Sequence, residues 1–168
     1  MMLSPHFSLA ECTASAKAKQ LGIDNTPNAE QLSNMVYLCH RVLEPLRSYF
    51  KKPVVVNSMF RSVATNRAVG GSSTSQHCKG EAVDCEIVGI PNNVIADWVS
   101  EHLLFDQVIL EFYKPSEGIN SGWVHISVRR NGTNRKSKLI ALKNGKKTIY
   151  KQIGDFDPDN AFENFENG

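Results

Sequence analysis

The sequence predicts an α+β fold, in which helices come first along the chain and a mostly antiparallel sheet follows. Apolar residues recur at helical spacing from Leu32 to Leu46, which indicates a buried helix. After Lys52-Pro53 the apolar residues occur instead in short runs typical of strands, beginning with residues 54–57. The chain has 168 residues, 41% of them apolar and 21% charged, which is the length and composition of one globular domain.

Two helices are expected in the first third of the chain. An early short helix over residues 8–20 begins at Ser8, a capping hydroxyl with Glu11 three residues on. A longer helix begins at Thr26-Pro27, because a capping hydroxyl followed by proline is a typical helix start. Pro45 should kink or loosen that helix near its end, since proline has no N–H and its ring crowds the preceding turn.

The remaining chain predicts one more helix and five more strands. The polar, Gly- and Ser-rich stretch over residues 58–76 is expected to be a long loop, which is usually functional or mobile. The final pair of strands is expected to form a hairpin that turns at Asn144-Gly145. The helix is predicted over residues 91–104, and the strands over residues 81–88, 107–113, 123–129, 138–142 and 146–150.

Acidic and basic residues are distributed unevenly along the chain. Residues 154–168 contain five acidic residues and no basic one, so we assign residues 1–153 to a single domain and the rest to an acidic tail without fixed structure. Nine Lys or Arg residues and no Asp or Glu lie between Gly118 and Gly154. This basic stretch favours a polyanionic partner, although a solvated basic face would have the same composition.

Neither a membrane span nor a secretory signal is visible in the sequence. No apolar run approaches the roughly 18 residues of a transmembrane helix, so stable membrane insertion is not expected. The first residues lack a cationic start followed by an apolar stretch, so no signal peptide is expected. No nucleic-acid-binding motif accompanies the basic stretch, and nucleic acid is therefore not the expected partner.

Two predicted strand segments carry the residues with chemistry. In the first, Asp84 alternates with apolar neighbours, and His77 precedes it across a glycine. In the second, residues 123–129, His125 alternates in the same way, so Asp84 and His125 are expected on the strand faces turned away from the core. Two imidazoles and one carboxylate are the donor set of a catalytic zinc site, where water takes the fourth position and its pKa falls to about 7. The same donors form the facial triad of mononuclear iron oxygenases, and lone histidines on strands are often packing or surface residues.

These motifs resemble those of a known enzyme family. Residues 75–84, SQHCKGEAVD, resemble the SxHxxGxAxD signature of zinc peptidases related to D-alanyl-D-alanine carboxypeptidases, and WVHIS resembles the strand of their third ligand. Segments 7–11, 22–25, 58–62 and 66–71 also occur in the expected order. The resemblance covers roughly residues 7 to 150 and is greatest to the short branch associated with phages and prophages.

The resemblance implies a fold and a set of site residues. The fold would be hedgehog/DD-peptidase-like, an antiparallel central sheet with N-terminal helices packed on it. The zinc ligands would be His77, Asp84 and His125. Arg61 would bind a substrate carboxylate or the developing oxyanion, since its planar fork suits such anions, whereas its plainer interpretation is a structural salt bridge. Ser75 would help to bind substrate, or would be a turn hydroxyl bonded to its own backbone.

The general base departs from the family's pattern. Related peptidases place a Glu, Asp or His two or three residues before the last zinc histidine, but this sequence has Gly122 and Trp123 there. We therefore predict Glu111 as the base, because a strand pairing antiparallel with residues 123–129 could bring it beside His125. Asp106 is the second choice, and it could equally cap the loop before that strand.

The sequence thus predicts a zinc-dependent metallopeptidase that hydrolyses D-amino-acid-containing stem peptides of bacterial peptidoglycan. The resemblance implies an endolysin of a phage or prophage, made in the host cytoplasm, acting on the cell wall and expected to be a monomer. The main alternative is a non-catalytic zinc-containing module that binds the cell wall or forms part of a phage particle. The cleaved stem bond, and carboxypeptidase as against endopeptidase action, stay open.

Overall fold

The computed structural model describes residues 1–156, in which helices flank a single six-stranded sheet. Of the acidic tail predicted over residues 154–168, residues 157–168 lie outside the described residues. The helices are α1 (Leu9–Cys12), α2 (Ala16–Leu21), α3 (Ala29–Leu38), α4 (Glu44–Phe50), α5 (Val63–Ala68) and α6 (Asn92–His102). The strands are β1 (Val55–Ser58), β2 (Ala82–Glu86), β3 (Gln107–Glu111), β4 (Trp123–Ser127), β5 (Ser137–Asn144) and β6 (Lys147–Gln152).

The sheet has the strand order β1-β2-β4-β3-β5-β6. Four of its neighbouring pairs are antiparallel, but β5 runs parallel to β3, so the expectation of an antiparallel central sheet is wrong at this position. The cause is the link between β4 and β5. Ser127 at the end of β4 and Ser137 at the start of β5 both pair with Gln107, so the link stays at one end of the sheet. β5 therefore runs from that end of the sheet in the same direction as β3.

One face of the sheet packs on the helices to form the core. Val83 and Cys85 of β2 and Val124 and Ile126 of β4 are fully buried in it, which confirms the alternation predicted for both strands. The N-terminal helices contribute the other side of the core, mainly through Met35, Leu38, Val42, Leu43 and Leu46. The opposite face of β2 and β4 carries Asp84 and His125.

The N-terminal helices differ in detail from the prediction. Ser8 caps α1 as expected, with its hydroxyl accepting from the Glu11 N–H, but a second start at Ser15 divides the predicted helix in two. The long helix begins after Asn28 rather than at Thr26-Pro27. There Asn28 and Gln31 form a capping box, which satisfies two otherwise unpaired N–H groups and outweighs the proline signal.

Proline loosens the long helix in the predicted region. The single π-helical turn Cys39–Leu43 separates α3 from α4 and lies just before Pro45. A wider turn accommodates the missing N–H and the bulk of the proline ring, so the chain continues as a helix instead of ending.

Two loop predictions need correction. Residues 58–76 are not a continuous loop, because Ser62 caps the short helix α5 within them. The β5–β6 turn lies at residues 145–146, one position later than predicted, since Asn144 pairs with Lys147 and only Gly145 of the two turn residues has a positive φ, of 59°.

Candidate metal centre

A short 3-10 turn, Gln76–Lys79, positions His77. The Ser75 hydroxyl accepts from the His77 N–H at 3.3 Å, and Gly80 ends the turn in the left-handed region with φ of 71°. A Cβ on Gly80 would lie 2.5 Å from the Gln31 carbonyl oxygen, so the turn can approach α3 only with glycine here. Ser75 thus caps the turn through a hydrogen bond to nearby backbone, which matches the turn-hydroxyl role considered for it in the sequence analysis.

The His77 ring is fixed by a backbone group that the sequence motifs do not indicate. Its Nδ1 lies 2.6 Å from the carbonyl oxygen of Met59, which can only accept a hydrogen bond, so Nδ1 carries the proton. Nε2 is left as a lone-pair donor and faces Asp84 at 3.3 Å. A carbonyl that holds the second nitrogen is the usual support of a metal-binding histidine.

Strand pairing brings the other two predicted ligands together. Asp84 of β2 and His125 of β4 are directly paired across the sheet, on the face away from the core. Asp84 Oδ1 lies 2.9 Å from His125 Nδ1. One donor atom from each of His77, Asp84 and His125 lies within 4.8 Å of the other two, and all three residues are buried. The fold therefore assembles the three residues that the sequence predicted.

The donor set fits zinc. Four ligands arranged tetrahedrally at about 2.0–2.1 Å from zinc are separated from one another by about 3.3 Å. The separations of Asp84 Oδ1 from the two histidine nitrogens, 3.3 Å and 2.9 Å, are close to that value. The three side chains leave room in a tetrahedron for one further ligand, as catalytic rather than structural zinc sites do.

Burial and mutual attraction govern the charges within this group. Desolvation alone would raise the pKa of Asp84, but the adjacent His77 and the hydrogen bond from His125 hold it well below its ordinary value. Desolvation lowers the pKa of His77, although Asp84 opposes the shift. An ionised carboxylate beside a neutral imidazole is the protonation state that a metal ion requires.

Glu111, the predicted base, lies on the same face of the sheet. β3 pairs with β4 so that Glu111 is opposite Trp123, two residues from His125 and on its side of the sheet. Burial, reinforced by the charge of Asp84 and opposed by His125, Arg61 and Lys143, raises the pKa of Glu111 to about 7. Within residues 1–156 the Glu111 carboxylate has no ion-pair partner.

Gly122 explains why a carboxylate is excluded from one of the two positions where related peptidases place the base. Gly122 has φ of 64°, and a Cβ on it would lie within 2 Å of the Glu111 carbonyl oxygen, at 1.9 Å. No residue with a side chain fits there without moving the end of β3. The close approach that excludes a carboxylate at position 122 is the same contact that holds Glu111 beside β4.

Arg61 adjoins His77 and forms no ion pair with any of the described residues. Its N–H donates to the His77 carbonyl, and Asn25 holds the residues on both sides of it, bonding to Phe60 O and Ser62 N. The Arg61 charge acts to lower the pKa of both His77 and Glu111. Its Nε is buried with no hydrogen-bond partner among the described residues, which does not match the structural salt bridge considered for it.

Asp106, the second choice for the base, is engaged elsewhere. Its side chain is fully buried at the opposite end of β3 and accepts from Nε and Nη2 of Arg135, the latter at 2.7 Å. The Arg135 backbone N–H also donates to it, and Arg129 lies 3.4 Å away. Asp106 anchors the β4–β5 link, so it is a structural residue and not a base.

The buried group of three donors could hold a metal ion, and it lies beside a carboxylate and a guanidinium that has no ion pair among residues 1–156, an arrangement compatible with a metal-dependent hydrolase. The model of the peptidase M15 family matches residues 5–127, and the chain belongs to that family. The match stops at the end of β4, so β5 and β6 lie outside it. No curated protein matches the chain. Among the described residues, none of the helices is both long and apolar enough to cross a bilayer.

Proposed function

We propose that this protein is a zinc-dependent metallopeptidase that hydrolyses D-amino-acid-containing stem peptides of bacterial peptidoglycan. The observation that carries the proposal is the buried His77–Asp84–His125 group, with Glu111 on the same face of the sheet. The family match supports peptide hydrolysis as the reaction. The resemblance of residues 75–84 to the carboxypeptidase signature supports the substrate class.

Each group of side chains at the site has a separate role in hydrolysis. Zinc, when bound by His77, Asp84 and His125, would supply a Lewis acid that activates water at neutral pH. Glu111 takes a proton from the attacking water and later passes it to the leaving amine, a role that suits a carboxylate with a pKa of about 7. Arg61 binds a carboxylate of the substrate or the oxyanion that develops at the scissile carbonyl.

An endolysin of a phage or prophage is the biological role that we propose. Such an enzyme is made in the host cytoplasm and reaches the cell wall when the membrane is breached. The basic stretch of residues 129–151 would favour the anionic wall polymer through its summed field, so binding should weaken as salt rises.

The decisive experiment is mass spectrometry of defined muropeptides after incubation with the purified protein. We expect new fragments with zinc, no fragments after chelation, and recovery when zinc is restored. Replacing His125 by Ala should abolish the products, whereas His102→Gln, a change at an exposed histidine outside the group, should leave them. Zinc binding without cleavage of any wall type would instead indicate the non-catalytic wall-binding or phage structural module.

A further inference from the structure

The hairpin formed by β5 and β6 adds side chains to the site from outside the family match. A row of directly paired residues crosses the sheet from Trp123 through Glu111 and Ala141 to Tyr150. Paired residues share a face, so Tyr150 lies on the same side as Glu111 and His125. Lys143 is two residues beyond Ala141 and belongs to that face as well.

Lys143 is held in place beside Glu111. Its Nζ donates to Thr148 Oγ1 at 3.2 Å and lies 4.9 Å from the centroid of the Phe112 ring. Phe112 in turn has φ of 53°, a strained conformation for a bulky residue, and packs edge-on against Trp123. The Lys143 charge acts on Glu111, and no acidic partner of Lys143 lies within residues 1–156.

Tyr150 completes the arrangement from the neighbouring strand. It is 54% exposed, so its hydroxyl is accessible to a ligand. Burial of part of the ring, followed by the negative charges of Glu111 and Asp84, raises the pKa of Tyr150. The hydroxyl thus stays protonated and can donate a hydrogen bond.

We propose that Lys143 and Tyr150 form a subsite for a second carboxylate of the substrate peptide, on the side of Glu111 opposite Arg61. This inference rests on the proposed peptidase function. Lys143 is on β5, and the Arg61 N–H bonds to the carbonyl of His77, which precedes β2. β2 and β5 are three strand spacings apart, about 14 Å, and an extended peptide of about four residues spans that distance. A stem peptide lying across the strands therefore reaches Arg61 with one carboxylate and Lys143 with another.

The test compares two stem pentapeptides that differ in one group. One carries a free α-carboxylate on its glutamate, and in the other that carboxylate is an amide. Isothermal titration calorimetry with zinc-loaded protein carrying Glu111→Gln measures affinity without hydrolysis. We expect the free carboxylate to bind about five- to tenfold more tightly, as a charge-assisted contact at a partly exposed site provides.

Variants of the β5–β6 hairpin test whether Lys143 and Tyr150 cause the preference for the free carboxylate. Lys143→Met and Tyr150→Phe should each remove most of it, and Lys143→Arg should retain it. Lys147→Met is the matched control, because Lys147 is on the same hairpin but on the opposite face. Equal affinity for the two peptides, no measurable binding of either, or an undiminished preference in Lys143→Met overturns the subsite.

Hydrolysis of the same two peptides by the unsubstituted enzyme separates this inference from the proposed function. Cleavage without a carboxylate preference overturns the subsite and leaves the peptidase standing. A carboxylate preference in binding without cleavage supports the subsite and contradicts the peptidase.

Discussion

The two ends of β3 carry buried or half-buried carboxylates with opposite surroundings. Asp106, just before the strand, is bound by the Arg135 guanidinium and backbone, with Arg129 nearby. Glu111, the last residue of the strand, has no ion-pair partner among the described residues and shares its environment with Asp84. The pKa of Asp106 is held below its ordinary value by the hydrogen bonds from Arg135, which outweigh desolvation, whereas burial raises that of Glu111 to about 7.

The comparison shows that partners, and not burial alone, decide what a carboxylate can do. The more deeply buried residue, Asp106, stays ionised because donors surround it, and its charge stabilises the β4–β5 link. Glu111 can change its protonation state near neutral pH because its surroundings do not satisfy its charge. One strand thus carries a structural anchor at one end and, at the other, the carboxylate that we propose as the proton acceptor.

The largest effect is expected from Glu111→Gln. An amide of nearly the same shape cannot accept the proton, so we expect kcat for wall-peptide hydrolysis to fall by about 10²- to 10⁴-fold. Zinc content, measured by elemental analysis, should not change. Glu117→Gln is the control, because Glu117 is an exposed carboxylate in the nearby loop. Full activity in Glu111→Gln would show that Glu111 takes no part in the mechanism, and would contradict the contrast drawn between Glu111 and Asp106.

A smaller effect, on stability and not on chemistry, is expected from Asp106→Asn. Loss of the charged acceptor should lower the free energy of unfolding by about 2–3 kcal/mol, since hydrogen bonds to charged groups are strong but both arginines can turn to solvent. Arg129→Gln should lower it by only about 0.5–1 kcal/mol, because the pair is longer and Arg129 is partly exposed. Urea denaturation measures both values. An unchanged free energy of unfolding with a large loss of kcat in Asp106→Asn would reverse the two roles.

The pH dependence of stability, measured on metal-free protein, sharpens the comparison between the two carboxylates. The raised pKa of Glu111 contributes stability that is present below 4.5 and is lost as pH rises through about 7. The lowered pKa of Asp106 contributes stability that is present above 3.8 and is lost as pH falls further. The free energy of unfolding of Glu111→Gln should therefore rise relative to that of the unsubstituted protein between pH 4.5 and about 7. The amount by which Asp106→Asn is less stable than the unsubstituted protein should decrease below pH 3.8. Differences that do not vary with pH would contradict the assigned surroundings.

The positions of the candidate ligands Asp84 and His125 were predictable because a strand alternates its faces. Asp84 and His125 each lie between two apolar residues in the sequence, and those neighbours are buried in the core, as the alternation of a strand predicts. Their direct pairing, however, depends on the register between β2 and β4, which are far apart along the chain. The Met59 carbonyl that fixes His77 has no sequence signal, because every residue has such a group.

The sequence ranked Glu111 before Asp106 as the candidate base, but the different surroundings of the two carboxylates were beyond sequence reasoning for a similar cause. Both are acids at the ends of one strand, and the neighbours that distinguish them, Arg135 and Asp84, are more than twenty residues away. The Lys143 and Tyr150 pair was missed because its position depends on the parallel pairing of β5 with β3.

The sequence by itself determined the order of the ligands, the faces on which Asp84 and His125 lie, and the helices that cover the core, because these follow from local periodicity and motif spacing. Only the tertiary structure decided which carboxylate has a cationic partner, which nitrogen of His77 is free, and which strands adjoin Glu111. Those properties depend on contacts between distant segments, and the physical environment of a charge is the sum of such contacts.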